Sequence, residues 1–397
     1  MAEMKPIGID QTTGQQRAVE SDDNVTNTIG DVIEIAIRNV GDYSGGSNQV
    51  QVLYPWDTPT KLNDPASGPT GFGIDASWSP NGEYLAIGHV TSPYLTVLQR
   101  TGTSFNKIDD PAALPGTEGD GVAWSENGEF LGVAHVGSPF VSVYQRDGNS
   151  LTKIANPASL PTGNGRGLGW SPSGEFLAVA HVNSPFVSVY QRDGTTLTKV
   201  ADPASLPPAQ GNQVAWSPNG QFFAVAHNSS PFVTIYERTG LTEFTMLADP
   251  TSLPASTGRY IAWSPDSQFL TVAHDTSPRQ TTYQRSGTTF TKIADPASIP
   301  NSDGQGAAWS PNGQYLALST SGTPFIAIYQ REDTTLTLLD APASLPAGQG
   351  QGISWSRDGQ FIAQSHGTSP FITIYQTPET LPSSGIVKII GQSLAGS

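Results

Sequence analysis

All six histidines of the 397-residue chain fall at equivalent places: His89, His135, His181, His227, His274 and His366. Two residues separate each from a Ser-Pro pair, and the corresponding seventh place holds Thr320 before Thr323-Pro324. A circle of imidazoles invites a metal site, provided the fold lets two or more of them converge on one ion. Other chemistries are excluded by residue type. The chain has no Cys, which removes thiolate metal sites, Cys nucleophiles and disulfides. It has no Gly-x-Ser-x-Gly elbow, phosphate-binding loop or His-Glu-x-x-His helix. The acids Glu118 and Asp120 are a pair near one another in sequence, and glycoside cleavage needs two carboxyls about 5–9 Å apart. A net charge of −15 opposes sequence-independent binding to nucleic acid, and no apolar run reaches the ~18 residues of a membrane-spanning helix. The start lacks the basic-then-apolar pattern of a signal peptide. These observations read as a protein that is not an enzyme, with no catalytic set, no cofactor, no metal, no nucleic-acid partner and no membrane insertion.

The elements that position these residues follow from an internal repeat. Seven of the eight Trp stand at 78, 124, 170, 216, 263, 309 and 355, so the period is 46 residues with a single 47. Each unit carries four short apolar or alternating stretches separated by turn residues. Around Trp170 they are the stretch ending at Trp170, Phe176 to His181, Phe186 to Tyr190 and Leu197 to Ala201. Ser-Pro-Ser-Gly, Ser-Pro, Arg-Asp-Gly and Asp-Pro punctuate them, and no window shows a helical period. The reading is an all-β, seven-bladed propeller of four-stranded blades. Much of the Gly and Pro content (42 and 32 residues) is this turn set written seven times. In such a disc strands are about 4.8 Å apart, so second strands sit ~12 Å from the axis and their equivalent atoms ~10 Å apart. Zinc ligands must lie about 2 Å from the ion, so no two of these His share one. The position reads instead as a His hydrogen-bonded in the turn between second and third strands. The Trp column reads as packing between neighbouring blades. Arg100, Arg146, Arg192, Arg238, Arg285 and Arg331, together with Lys61, Lys107, Lys153, Lys199 and Lys292, read as solvated blade surface.

The last unit loses its pattern after Tyr375, and its missing element appears at the front as Lys61-Leu-Asn-Asp-Pro-Ala-Ser67. The propeller therefore spans 50–397 and is closed by an N-terminal strand around 60–67. Either Val50–Tyr54 or Ile386–Ile390 competes for a place in that closing blade. Residues 1–49 do not share the repeat. Val32 to Arg38 alternates as a strand, and Gly41 to Asn48 has the composition of a linker.

Columns that vary between units are where one blade can do what its neighbours do not. Four residues before each Trp stand Ile74, Asp120, Arg166, Asn212, Arg259, Gln305 and Gln351. The loop leading into the inner strand places them around one mouth of the central channel, beside the turns that follow the His column. With Tyr260 and Glu118, the residues Asp120, Arg166, Asn212, Arg259, Gln305 and Gln351 are the candidate ligand-binding set. In the fifth unit Arg279-Gln-Thr-Thr282 replaces the usual Phe-Val-Ser-Val.

Trp-Ser-Pro-Asn-Gly at 78–82 and 216–220 resembles the inner-strand motif of the WD-repeat superfamily, over residues 50–380. The Trp-Asp pair of that family is absent from the end of the third strand, where Tyr-Gln-Arg stands at 144–146, 190–192 and 329–331, and its Gly-His pair does not recur from unit to unit. Units of the form Ala-Val-Ala-His-x-x-Ser-Pro-Phe, followed by Lys-x-Ala-x-Pro-Ala-Ser-Leu-Pro, resemble propeller repeats of bacteriophage virion proteins. The run Pro6 to Arg17 with Ser21-Asp22-Asp23 resembles the opening of phage fibre and capsid-attached proteins. The resemblance implies a virion structural protein, a tail fibre or head decoration assembled in the host cytoplasm. In it residues 1–49 would dock to other virion proteins, and the propeller would bind a host-surface polysaccharide or a neighbouring virion protein. It also implies a homo-oligomer, such as a trimer. A purely structural capsid or tail part, or a polysaccharide-degrading propeller, are the alternative readings.

Overall fold

In the computed structural model the described residues are 58–378, together with a short antiparallel ladder in which Ile7–Ile9 pairs with Gln16–Ala18. The chain divides into two units, Trp56–Ser384 and Met1–Pro55 with Gly385–Ser397. Val32–Arg38, Val50–Tyr54, Trp56 and Ile386–Ile390 lie outside the described residues.

Seven four-stranded antiparallel sheets follow one another along residues 60–376. In the third blade the strands run from inner to outer as Gly165–Trp170, Phe176–His181, Val187–Asp193 and Thr196–Lys199. The all-β, seven-bladed propeller is thus the observed fold. The seventh blade takes Gly350–Trp355, Phe361–His366 and Ile372–Gln376 from the C-terminal end and its outer strand, Thr60–Lys61, from the N-terminal end. Thr60 stands opposite Gln376 and Lys61 opposite Tyr375, so the closing strand is two residues long.

Local chemistry explains the repeat. After each Trp, a Ser hydroxyl such as Ser217 Oγ accepts from the Phe222 amide (2.9 Å) and donates to Asn219 Oδ1 (2.6 Å). Gly220 closes that turn at φ +70°, a conformation that disfavours a side chain. Each inner strand begins with a glycine and a bulge, as between Gly165 and Gly167. A Cβ on Gly165 would lie 2.3 Å from the Phe140 carbonyl of the preceding blade, so the close approach of blades demands glycine there.

The blades are joined by one repeated interlock. The aromatic opening each second strand packs on the Trp of the next blade: Tyr84 on Trp124, Phe130 on Trp170, Phe176 on Trp216, Phe222 on Trp263, Phe269 on Trp309 and Tyr315 on Trp355. Their ring centroids are 5.9 to 6.4 Å apart. Phe361 of the last blade packs on Trp78 of the first at 5.9 Å, and the circle closes. The Arg column completes this contact, which corrects its reading as solvated surface. Arg192 lies 4.5 Å over the Phe130 ring while its Nε donates to Gly174 O and its Nη1 to Gly194 O. Arg100, Arg146, Arg238, Arg285 and Arg331 cover the rings of Phe361, Tyr84, Phe176, Phe222 and Phe269 in the same way. Four of the Lys form exposed pairs with the Asp three residues on, as Lys199 does with Asp202 (2.7 Å), and such pairs contribute little.

If the seven interfaces are equivalent, Phe361→Ala at the closure should cost about as much as Phe130→Ala inside the ring. Both fall in the ~3–5 kcal/mol range of a buried aromatic truncation. Urea unfolding of the two variants checks this; a much smaller loss at Phe361 would mean that the ring is not closed there.

Candidate functional site

The loops leading into the inner strands and the turns after the His column share one face of the disc. Val182 N donates to Asn164 O, Gly137 N to Thr117 Oγ1 and Asn183 Nδ2 to Thr162 O, tying each loop to the neighbouring turn. Every one of those turns contains a cis Ser-Pro or Thr-Pro bond, from Ser92-Pro93 to Ser369-Pro370. The opposite face, where inner strands end at Trp, carries the Ser-Pro-x-Gly turns. Both ends of the described propeller lie on that Trp face: Thr377 Oγ1 donates to Gly359 O of such a turn, and Thr60 pairs with neighbouring Gln376.

The His column is fully buried. Each Nε2 meets the hydroxyl seven residues on: His89 with Thr96, His135 with Ser142, His181 with Ser188, His227 with Thr234, His274 with Thr281 and His366 with Thr373, at 2.9 to 3.0 Å. The sixth blade changes both partners together. Thr320 replaces His and bonds Gly322 O, and Ala327 replaces the hydroxyl residue. The six imidazoles are thus engaged one to a blade.

At the mouth, Arg166 Nη1 reaches Asp120 Oδ2 at 2.9 Å, linking blades two and three. Burial pushes the Asp120 carboxyl up to about 6; Arg166 opposes this and Glu118 adds to it. Asn212 Nδ2 donates to Asn228 Oδ1 (2.6 Å) and Gly258 O (2.7 Å). Arg259 clasps Asp275 through Nε and Nη2 at 2.7 and 3.1 Å. Gln305, Gln351 and Glu118 are half-buried in the same circle. The set is therefore spread around the mouth as separate pairs, with no single convergent pocket among them.

Tyr260 is different, and it leads to residues that the sequence reading passed over. One position nearer Trp than the mouth column stand Asp75, Gly121, Gly167, Gln213, Tyr260, Gly306 and Gly352. Three long polar side chains from blades one, four and five fill the room that four glycines leave. Tyr260 Oη donates to Asp75 Oδ1 across the channel at 3.1 Å. Asp75 also accepts from Ala76 N (2.9 Å) and Val122 N (3.0 Å), and Gln213 Oε1 accepts from Val214 N (2.9 Å). A Cβ on Gly167 would lie 2.1 Å from Gln213 Oε1, and one on Gly352 would lie 2.4 Å from Asp75 Oδ1. The glycines of this column are the sequence signal that reveals the plug. Burial raises Asp75 to about 7 despite its three donors, and raises Tyr260 well above its ordinary value. On the Trp side of the plug the lumen is a cavity of about 320 Å³ walled by small residues such as Ala123, Ala215 and Ala308.

Comparisons agree with this architecture. A family model described as "Lactonase, 7-bladed beta-propeller" matches residues 91–210, and one described as "ELP1 first N-terminal beta-propeller" matches residues 166–285. No curated protein matches the chain. Hydrazine synthase of Kuenenia stuttgartiensis is similar in structure, with a TM-score of 0.62 at 17% identity over 80% of this chain and 99% of that one. The Cps50 (Swd1) β-propeller domain of Myceliophteria thermophila gives 0.60 at 13% identity, over 81% and 99%. A chain of the Mitotic Checkpoint Complex gives 0.62 at 16%, over 87% and 99%. At such identities the likeness is one of fold alone.

Two predictions follow from the buried groups. Burial holds His89, His135, His181, His227 and His274 down to about 4, against 6.5 for a free imidazole. The fold accepts the neutral form, so the unfolded chain takes up the extra protons. Their stabilisation is complete above pH ~6.5 and is lost as pH falls through ~4. Asp75 and Asp120, raised to about 7 and about 6, act in the opposite sense but are outnumbered. The double change His227→Thr with Thr234→Ala, which copies blade six, should keep the fold. It should reduce the pH slope of unfolding free energy between pH 4.5 and 6 by up to ~1.4 kcal/mol per pH unit. Urea unfolding at a series of pH values reads this, and an unchanged slope would show that His227 ionises within the fold. Separately, Tyr260→Phe removes one donor from a buried carboxyl and should cost about 1–3 kcal/mol in the same assay.

Proposed function

We propose that this protein is a binding component of a bacteriophage virion, a tail fibre or head decoration. Its propeller would hold the lead-in face towards a host-surface glycan or a neighbouring virion protein. The observation that carries the reading is the contrast between columns. The positions that join blades repeat almost without change, whereas the mouth column holds five residue types in seven blades: Ile74, Asp120, Arg166, Asn212, Arg259, Gln305 and Gln351. A scaffold that is constant where it packs and varied between blades on one face suits recognition. The chemistry of that face suits binding more than turnover, since Asp120 is paired with Arg166, Arg259 with Asp275, and Asn212, Gln305 and Gln351 are amides. Thr60 and Thr377, near the two ends of the described propeller, lie on the other face. The virion assignment itself rests on the resemblance of the repeat and of residues 6–23 to phage proteins.

In this reading residues 1–49 dock the protein, in a homo-oligomer such as a trimer, to other virion proteins. Deleting residues 1–30 should leave a folded propeller that is missing from purified particles, as followed by immunoblotting of gradient-purified virions. Unchanged incorporation would remove the docking role.

A further inference from the structure

Blade five departs from the repeat in several places at once, and the departures meet. The residue after the turn proline is aromatic in six blades and is Arg279 in the fifth. The residue after the His column is uncharged in the other blades and is Asp275 in this one. Arg259 grips Asp275 at 2.7 and 3.1 Å, Arg279 Nη1 donates to the Asp275 carbonyl, and the same nitrogen reaches Asp303 Oδ1 of the sixth-blade lead-in at 2.9 Å. Asn212 and Asn228 continue the polar line into blade four. Arg259, Asp275 with Arg279, and Asp303, from three separate stretches of sequence, thus form one strip along the lead-in face.

Stability does not require this strip. Phe serves the Arg279 position in other blades, and exposed ion pairs contribute little. The side chains of Arg259 and Asp303 keep 47% and 44% of their surface, so the strip is open to a ligand. Two guanidinium and two carboxylate groups cancel in charge, so a charged ligand would have to displace a fixed partner. A carboxylate has about four acceptor sites and a guanidinium five N–H groups, so each pair leaves donors and acceptors spare side by side. Adjacent hydroxyls of a sugar ring, which donate and accept in the same plane, match that arrangement. Half-buried Phe232 and Phe325 in the flanking turns offer apolar surface on either side.

We propose that the Arg259–Asp275–Arg279–Asp303 strip is a subsite for a neutral oligosaccharide, an inference that rests on the lead-in face being a recognition surface. The test is binding of the full-length protein to immobilised neutral oligosaccharides (glucan, mannan and galactan series) and to acidic ones (hyaluronan and polysialic acid series). Arg279→Phe restores the side chain of other blades, and Asp303→Asn removes one charge at constant size. The wild type should retain at least one neutral oligosaccharide. Each variant should bind it at least tenfold more weakly with an unchanged thermal midpoint. If the wild type binds a neutral oligosaccharide and both variants match it, the strip is not the subsite, although glycan recognition stands. Retention of acidic oligosaccharides alone would overturn the neutral class. If the wild type retains none, both this subsite and the glycan-binding reading fall.

Discussion

The structure depends on the contact between one blade's aromatic and the next blade's Trp. A four-stranded sheet buries one face poorly by itself, and here each sheet finishes its core with residues of its neighbour: Phe176, Val187 and Val189 of blade three share a cluster with Trp216, Phe223 and Phe244 of blade four. Such an interface leaves an unmet surface at both ends of any open stack, and only a circle removes the ends. Phe361 on Trp78 is therefore the same contact as Phe130 on Trp170, imposed between residues nearly three hundred positions apart. The two-residue strand Thr60–Lys61 adds main-chain pairing at this seam and covers the edge that Ile372–Gln376 would otherwise expose.

Equal spacing follows from that demand. Seven interfaces of one geometry need units of one length, and the single extra residue lies between Trp216 and Trp263, in the unit whose hairpin carries exposed Leu241. Paired changes obey the same rule. Blade six gives up its His and the hydroxyl partner of that His together, because a buried imidazole without a partner is costly and so is a buried hydroxyl without one. Where a column is free of such demands, as at Ile74, Asp120 and Arg166, the blades diverge.

Much of this is legible in the sequence. The Trp period reveals blade number, the displaced Lys61 to Ser67 element points to closure, distance excludes a metal shared by the His column, and the need of buried polar groups for partners gives that column its hydrogen-bonded role. Two features were not legible. Arg146 covers Tyr84, sixty-two positions away and in the preceding blade, and nothing near either residue announces the other. The plug joins Asp75, Gln213 and Tyr260 from three blades, and it shows only when the seven units are read down one column and four glycines stand beside three long polar residues. Local pattern reports strands and turns; contacts across the disc depend on which column faces the axis.

The plug also limits where recognition can occur. Tyr260 bonds to Asp75 across the axis, and the cavity on the Trp side is lined in part by Tyr260 and Gln213. A ligand on the lead-in face therefore meets a floor of hydrogen-bonded polar groups, Asp75, Gln213 and Tyr260, within the circle of the mouth column. The inner-strand residues there are anchored on both sides by neighbouring blades, so little reorganisation is available to them, and discrimination must come from preformed donors and acceptors. Burial raises the Asp75 carboxyl of that floor to about 7, and the hydrogen bonds from Val122, Ala76 and Tyr260, which favour its ionised form, oppose the rise.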